Sequence, residues 1–319
     1  MIYLTESQIQ PLLPMAAAIE QVERALVARA HGQAVDVPRR RTRMPGAHLN
    51  ILQGGSLELD LVGFKAYYVL PTGKTSVVQL IDRRTGELQA IIESQWLGMV
   101  RTGAASAVAA RHLALPDAGV LGMFGSGRQA GAQLEAICAV RPIRRAQVYS
   151  RDAQRLASFC DRMARRLDIE VVPARSPQDA LGGAQIVVTI TRGGRAVFDG
   201  GWLERGQLVC AAGVNALDRH EIDLATVRRA DRIVVDARQT ARLESGDLLA
   251  AAEAGLIDWD RLIELGDVAA GHADGRTDAS QVLLFESHGM ALQDLYCAAY
   301  VLGKARERGL GQSIESGYI

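Results

Sequence analysis

The residues with the clearest chemical meaning are the glycines of Gly119-Val-Leu-Gly-Met-Phe-Gly125-Ser126-Gly127-Arg128-Gln129-Ala130. An apolar run passes into Gly-x-Gly-x-x-Ala and then into a helical pattern over 133–140. The chemistry this suits is phosphate binding. Gly125 allows a tight turn, Gly127 lets backbone approach a pyrophosphate, and Ala130 permits close helix–strand packing beside unpaired helix N–H groups. The motif alone also describes an ordinary strand–turn–helix, but the β-α-β pattern on both sides favours a dinucleotide. A second strand, Ala146-Gln-Val-Tyr-Ser150-Arg151, ends where such folds read the adenosine ribose. Ser150 and Arg151 there replace the usual acid with an uncharged group and a planar donor. That favours NADP(H), with NAD(H) possible, against the alternative of a solvated arginine at a strand end.

A second group of residues is cationic. Lys65 lies in an otherwise apolar run, Leu61-Val-Gly-Phe-Lys-Ala-Tyr-Tyr-Val. It either snorkels to the surface or faces a polar cavity, where desolvation would lower its pKa toward acid–base use. Arg39-Arg40-Arg41-Thr42-Arg43 reads either as a basic patch or as a strand with one arginine turned into a pocket, Arg40 or Arg41. The histidines show no metal spacing, and the cysteines Cys138, Cys160, Cys210 and Cys297 show no Cys-x-x-Cys pair. No metal and no disulfide framework are expected.

The elements that must position these residues fall into two regions. Ile19, Val22, Leu26 and Val27 recur at helical spacing before Gly32, so the first thirty residues read as an amphipathic helix with a glycine stop. Short apolar runs over 49–93, broken by glycine and proline turns, predict an antiparallel meander. A small-residue helix follows, with Thr102 as its cap and Arg101 at its start. Beyond Pro116 six apolar runs alternate with helical stretches, at 119–124, 146–149, 169–172, 186–190, 208–212 and 233–235. Ser176-Pro-Gln-Asp supplies a helix start among them. The last helix, 287–306, returns to the first region. The fold class is therefore α/β: a Rossmann-type doubly wound parallel sheet over 117–289, and an α+β substrate-binding and dimerisation domain over 1–116 completed by 290–319.

Composition narrows the partners. Lys plus Arg and Asp plus Glu both number 36, and the hydrophobic fraction is 48% over 319 residues. A substantial core is affordable, and nothing draws the chain to nucleic acid or an anionic membrane. No basic, apolar leader and no uncharged run long enough to span a bilayer is present, so a cytoplasmic protein acting on small molecules is expected.

Five separated stretches resemble the ornithine cyclodeaminase/mu-crystallin family: Val37-Pro-Arg-Arg, Gly63-Phe-Lys65, Arg101-Thr102-Gly-Ala-Ala-Ser, the glycine loop, and Glu244-Ser-Gly-Asp247 with Phe285-Glu-Ser-His-Gly-Met-Ala-Leu-Gln-Asp294. That family includes cyclodeaminases, alanine-type dehydrogenases and reductases of cyclic ketimines, built as dimers that hold a nicotinamide. The resemblance implies that Arg40, Lys65 and Arg101 bind the substrate carboxylate, with Lys65 also catalytic. A helix start would help Arg101 in this role. Beside the glycine loop and Ser150 and Arg151, the expected cofactor contacts are Thr102, Ser126, Arg128, Gln129, Thr189, Thr191 and Ser287.

Two positions depart from the cyclodeaminase pattern. Asn215 stands where an aspartate is thought to activate the substrate, and an amide can orient but cannot act as a base near neutral pH. Asp218 nearby suits turn solvation. His288 replaces an apolar residue and is either a proton donor or specificity contact, or a helix-first-turn histidine meeting solvent or a neighbouring carbonyl. The expected function is an NAD(P)H-dependent oxidoreductase acting at the C–N bond of a small amino or imino acid. The alternatives are a cyclodeaminase-type ammonia lyase and a non-catalytic ligand-binding member.

Overall fold

The structure, a computed structural model, describes residues 1–315. The chain forms two compact units, Met1–Arg101 joined by the segment that begins at Gly289, and Thr102–His288. It opens with β1 (Ile2–Leu4), α1 (Glu6–Ile9) and α2 (Met15–Ala30). Ile19, Val22 and Leu26 are buried along α2, and Gly32 ends it at φ +69°. The residues before α2 do not continue its helix, because Pro11 and Pro14 cannot occupy a helix interior. β1 instead adds to a sheet.

Then come β2 (Ala34–Met44), β3 (Ala47–Ser56), β4 (Leu61–Leu70), β5 (Gly73–Asp82) and β6 (Leu88–Glu93). They pair consecutively and antiparallel, as the turn signals predict. α3 (Gln95–Leu113) starts earlier than its composition suggests. The cap is remote: the Glu6 carboxylate accepts the N–H groups of Gln95 and Trp96. Thr102 therefore lies inside α3 rather than capping it, and Arg101 is well inside the helix rather than at its start. The unit boundary also falls here instead of at 116. The second half of α3 belongs to the second unit, where Arg141 Nη2 donates to the Arg111 carbonyl at 2.7 Å and Arg276 Nε to that of Leu113 at 2.7 Å.

The second unit runs β7 (Val120–Phe124), α4 (Ala130–Cys138), β8 (Arg145–Tyr149), α5 (Ala153–Leu167), β9 (Glu170–Pro173), α6 (Pro177–Leu181), β10 (Ile186–Thr189), β11 (Leu208–Ala211), α7 (Leu224–Arg229) and β12 (Arg232–Val235). α8 (Arg238–Glu244), α9 (Gly246–Glu253), β13 (Ile263–Glu264), α10 (Leu265–Ala269) and β14 (Leu283–Glu286) complete it. Ser176 caps α6 as predicted, accepting from Asp179 N at 3.0 Å. The sheet is parallel with order β13-β12-β14-β11-β10-β7-β8-β9. All six expected strands are in it, and β13 and β14 are additional. The order reverses between β7 and β10, which is where ligands sit in doubly wound sheets.

α11 (Ala291–Glu307) and β15 (Gln312–Ser313) return to the first unit. The seven-stranded sheet there reads β15-β1-β6-β5-β4-β3-β2, and α11 packs on its strands and on α2. α11 begins at Ala291 rather than at Ser287. Ser287 and His288 end the second unit, and Gly289 at φ +81° cannot join a right-handed helix.

Candidate active site

Lys65 lies on the buried face of β4, in register with Leu52 of β3 and Val78 of β5, and is only 2% exposed. It does not snorkel. Its Nζ donates to Asp294 Oδ1 at 2.7 Å, and Arg101 Nε donates to the same oxygen at 3.1 Å. Arg101 Nη1 also reaches Gln293 Oε1 at 2.9 Å. Asp294 stands in the first turn of α11, where the helix dipole favours a negative charge. Burial pushes its carboxyl up, but Arg101 and Lys65 outweigh that and hold it below the usual range. Lys65 goes the other way. Burial lowers it to about 8 despite Asp294, with Arg101 and Arg39 adding to the fall. Gly98 of α3 makes room for the ammonium, since a Cβ there would lie 2.8 Å from Nζ.

Arg39 is the buried arginine on this face, Arg41 lies on it further along, and Arg40, which the resemblance implies, does not. β2 and β3 lose register between Val37 and Arg40, and beyond the slip Arg40 pairs with Ile51 on the opposite face and is exposed. The bulge turns Arg39 inward instead. It is 7% exposed, with its guanidinium carbon 5.9 Å from the Tyr67 ring centroid. Arg41 pairs with Asn50, itself paired with Tyr67, so it stands on the Lys65 face two residues beyond Arg39 and is half-buried.

In the second unit β7 ends at Phe124, Gly125 adopts φ +115°, and α4 starts at the fully buried Ala130, earlier than the 133–140 pattern suggested. A Cβ on Gly127 would meet nothing within 4 Å, so the loop leaves open space there. Gly127 and Arg128 are exposed, and Ser126 and Gln129 are half-buried. These features fit a pyrophosphate at the switch point. At the end of β8, Ser150 is half-buried and Arg151 exposed, while Asp152 turns its carboxylate to α5 and accepts from Arg155 N at 3.0 Å.

The loops after β10 and β11 are organised by Glu221, which the sequence reading passed over. Its carboxylate accepts from Thr191 N, from Gly213 N at 2.7 Å and from Thr189 Oγ1 at 3.0 Å. Thr189 is thus fully buried and its hydroxyl is committed to Glu221. Burial pushes the Glu221 carboxyl up to about 7, against the pull of the Thr191 hydrogen bonds. Asp247 Oδ1 in turn accepts the N–H groups of Glu221 and Ile222 at 2.6 and 2.9 Å. This explains Glu244-Ser-Gly-Asp247: Ser245 caps α9, and a Cβ on Gly246 would lie 1.9 Å from the Arg219 carbonyl. Asn215 is half-buried on the loop so held, and Asp218 is exposed.

His288 is not in a helix and does not meet solvent. Its N–H donates to Asp236 Oδ2 at 2.8 Å, and its buried ring lies 3.5 Å from both Asp236 and Glu286. Burial, with Asp247 and Glu221 beyond it, holds the Glu286 carboxyl well above its usual range. Ser287 is buried beside the same Asp236. Among the described residues no cluster could hold a metal ion.

The chain matches the model of the ornithine cyclodeaminase/mu-crystallin family over residues 1–309. It belongs to that family. The solved Δ1-pyrroline-2-carboxylate reductase of Thermococcus litoralis, in complex with NADH and L-proline, is similar at 30% identity with a TM-score of 0.94, covering 98% of this chain and 100% of that one. The iminosuccinate reductase of Paracoccus denitrificans, in complex with NAD+, is similar at 29% identity and TM-score 0.94, with 99% of each chain covered. An archaeal alanine dehydrogenase dimer with bound NAD is similar at 26% identity and TM-score 0.93, again over 99% of each.

Proposed function

We propose that this protein is an NAD(P)H-dependent oxidoreductase acting on the C–N bond of a small amino or imino acid, with a ketimine or imine as acceptor. The observation that carries the reading is the meeting of Lys65 and Arg101 on one oxygen of Asp294. Two buried cations against one carboxylate leave those three groups net positive, which suits a substrate carboxylate. Arg101 supplies a planar, oriented donor for it. Lys65 holds a proton at Nζ for the substrate nitrogen, and with its pKa near 8 it is protonated in neutral solution yet able to give that proton up. Arg39 adds positive potential on the same face. A bound nicotinamide supplies the hydride that passes to the α-carbon, and the glycine loop with Ser126, Arg128 and Gln129 would hold its pyrophosphate. Thr102, Thr189, Thr191 and Ser287 belong to the same expected set, but Thr189 is fully buried, with its hydroxyl on Glu221 and its carbonyl accepting the Ala212 N–H, and so would act by shaping the loop. His288, packed on Asp236 and Glu286, would position the Ser287 segment rather than touch the reacting atoms.

NADP(H) as the preferred dinucleotide is supported by Ser150 and Arg151, with Asp152 committed to capping, although the three similar solved enzymes hold NAD or NADH. A homodimer is supported by Val35, Val62 and Tyr68, exposed on the outer face of the first sheet, and by the dimeric state of the similar alanine dehydrogenase. Among the described residues no helix is long and apolar enough to cross a membrane.

The test is a panel of preformed cyclic ketimines and of 2-oxo acids with ammonium, followed by the absorbance of NADPH and NADH. Consumption of reduced cofactor with at least one imino acid is expected. Conversion of ornithine to proline and ammonia, without net change in cofactor, would instead establish a cyclodeaminase and remove the role given to Asn215. If the parent is inert toward ornithine and Asn215→Asp gains a trace of that activity, the assignment stands.

A further inference from the structure

Two loops that leave the middle of the parallel sheet are fastened to each other by one buried side chain. Oε1 of Glu221 accepts the Thr191 N–H from the loop after β10, and Oε2 accepts the Gly213 N–H from the loop after β11 together with the Thr189 hydroxyl. Gly213 admits this contact, because a Cβ there would stand 2.4 Å from Oε2. Asp247 fixes the backbone of Glu221 from behind. β10 and β11 are already paired on both sides, so the strands do not need the clamp; what it sets is the spacing of the loops beyond them. Burying a carboxylate is costly unless donors meet it, and here the donors come from the carboxyl ends of the strands, the side on which such sheets bind ligands.

We propose that Glu221 is a positioning residue for the nicotinamide half of the dinucleotide, holding the Thr191 loop and the Asn215 loop in the one spacing that accepts it. This rests on the dinucleotide reading of the second unit. The adenosine and pyrophosphate half belongs to the glycine loop and the end of β8, which make none of these contacts. The two halves therefore respond differently to loss of the clamp.

Glu221→Gln keeps the shape but replaces one oxygen by an NH2 group, which then points at the N–H of Thr191 or of Gly213 in either amide orientation. Binding of ADP-ribose and of NADH to the full-length protein is measured by calorimetry, using the 2′-phosphorylated pair if the parent prefers NADPH. In Glu221→Gln the dissociation constant of the complete dinucleotide is expected to rise about tenfold or more, while that of ADP-ribose stays within about twofold. Equal weakening of both probes, or no change in either, overturns the proposal. Should Glu221→Gln fail to fold, Thr189→Val decides in the same way, since it removes one donor and keeps the shape; selective loss of the complete dinucleotide supports the clamp, and any other pattern overturns it. If the parent protein binds neither probe, the dinucleotide reading falls, and this proposal with it.

Discussion

Lys65 and Asp294, 229 positions apart in the chain, meet at 2.7 Å in the interior of the first unit. The pair is not a closed ion pair, because Arg101 shares the same carboxylate oxygen. One buried anion thus serves two cations. It keeps them close without neutralising both, and the expected behaviour of the site follows from that imbalance.

The pH dependence of imino-acid reduction should report Lys65. With its pKa brought down to about 8 by burial, the proton on Nζ is present below that value and lost above it. The ratio kcat/KM is therefore expected to fall as pH rises through about 8. The stability contribution has the opposite sign. Between about 8 and the ordinary lysine value of 10.5 the unfolded chain binds more protons than the folded one, so stability from this group rises with pH across that window. A rate profile without a break near 8 would remove Lys65 from proton transfer.

Asp294→Asn should cost more stability than activity arguments alone suggest. It leaves two buried cations without their counter-charge, and breaking such a group by removing one partner costs about 3–5 kcal/mol. Denaturant unfolding measures this. A loss under about 1 kcal/mol would mean that the cations are solvated in a way the burial of Lys65 and Arg101 contradicts.

Arg101→Lys is expected to raise KM for the carboxylate substrate about tenfold or more, because lysine lacks the planar fork. Folding is not spared, as it would be at an exposed helix start. Arg101 is 8% exposed and bonded to both Asp294 and Gln293, so a loss of about 1–3 kcal/mol accompanies the kinetic change. Unaltered KM across all carboxylate substrates would show that another group holds the carboxylate.

Arg151→Ala should narrow the affinity gap between NADPH and NADH without changing the affinity for NADH. Titration of both reduced cofactors into parent and variant gives the answer. Equal affinities in the parent would assign the end of β8 to NAD, in line with the similar solved enzymes.

The parallel sheet, the meander and the glycine loop were legible because each rests on local periodicity or local glycine chemistry. Lys65 stood out for a related reason, as a charge in an apolar run, whereas Arg101 was marked by the family resemblance. The start of α3 was not legible, because its cap is Glu6, brought there by the fold alone. The inward turn of Arg39 was not legible, because a bulge leaves no mark in a run of three arginines. Asp294 was not legible as a counter-charge, because Lys65 and Arg101 are brought to it only by the fold. Glu221 carried no signal either. In Asp-Arg-His-Glu-Ile-Asp it looks like one solvated acid among others, and only the meeting of the β10 and β11 loops gives it a purpose.

The run Arg39-Arg40-Arg41 has a consequence for how this site tolerates error. In a strand, a slip of one residue exchanges the two faces and normally replaces a buried group by an exposed one. Here loss of one residue at the bulge would deliver Arg40 to the position Arg39 now fills, so the charge would stay and only the codon supplying it would change, whereas a gain would deliver Pro38. Redundancy of this kind buffers the first unit against a one-residue deletion at the bulge, whereas Lys65, flanked by Phe64 and Ala66, has no neighbour able to take its place.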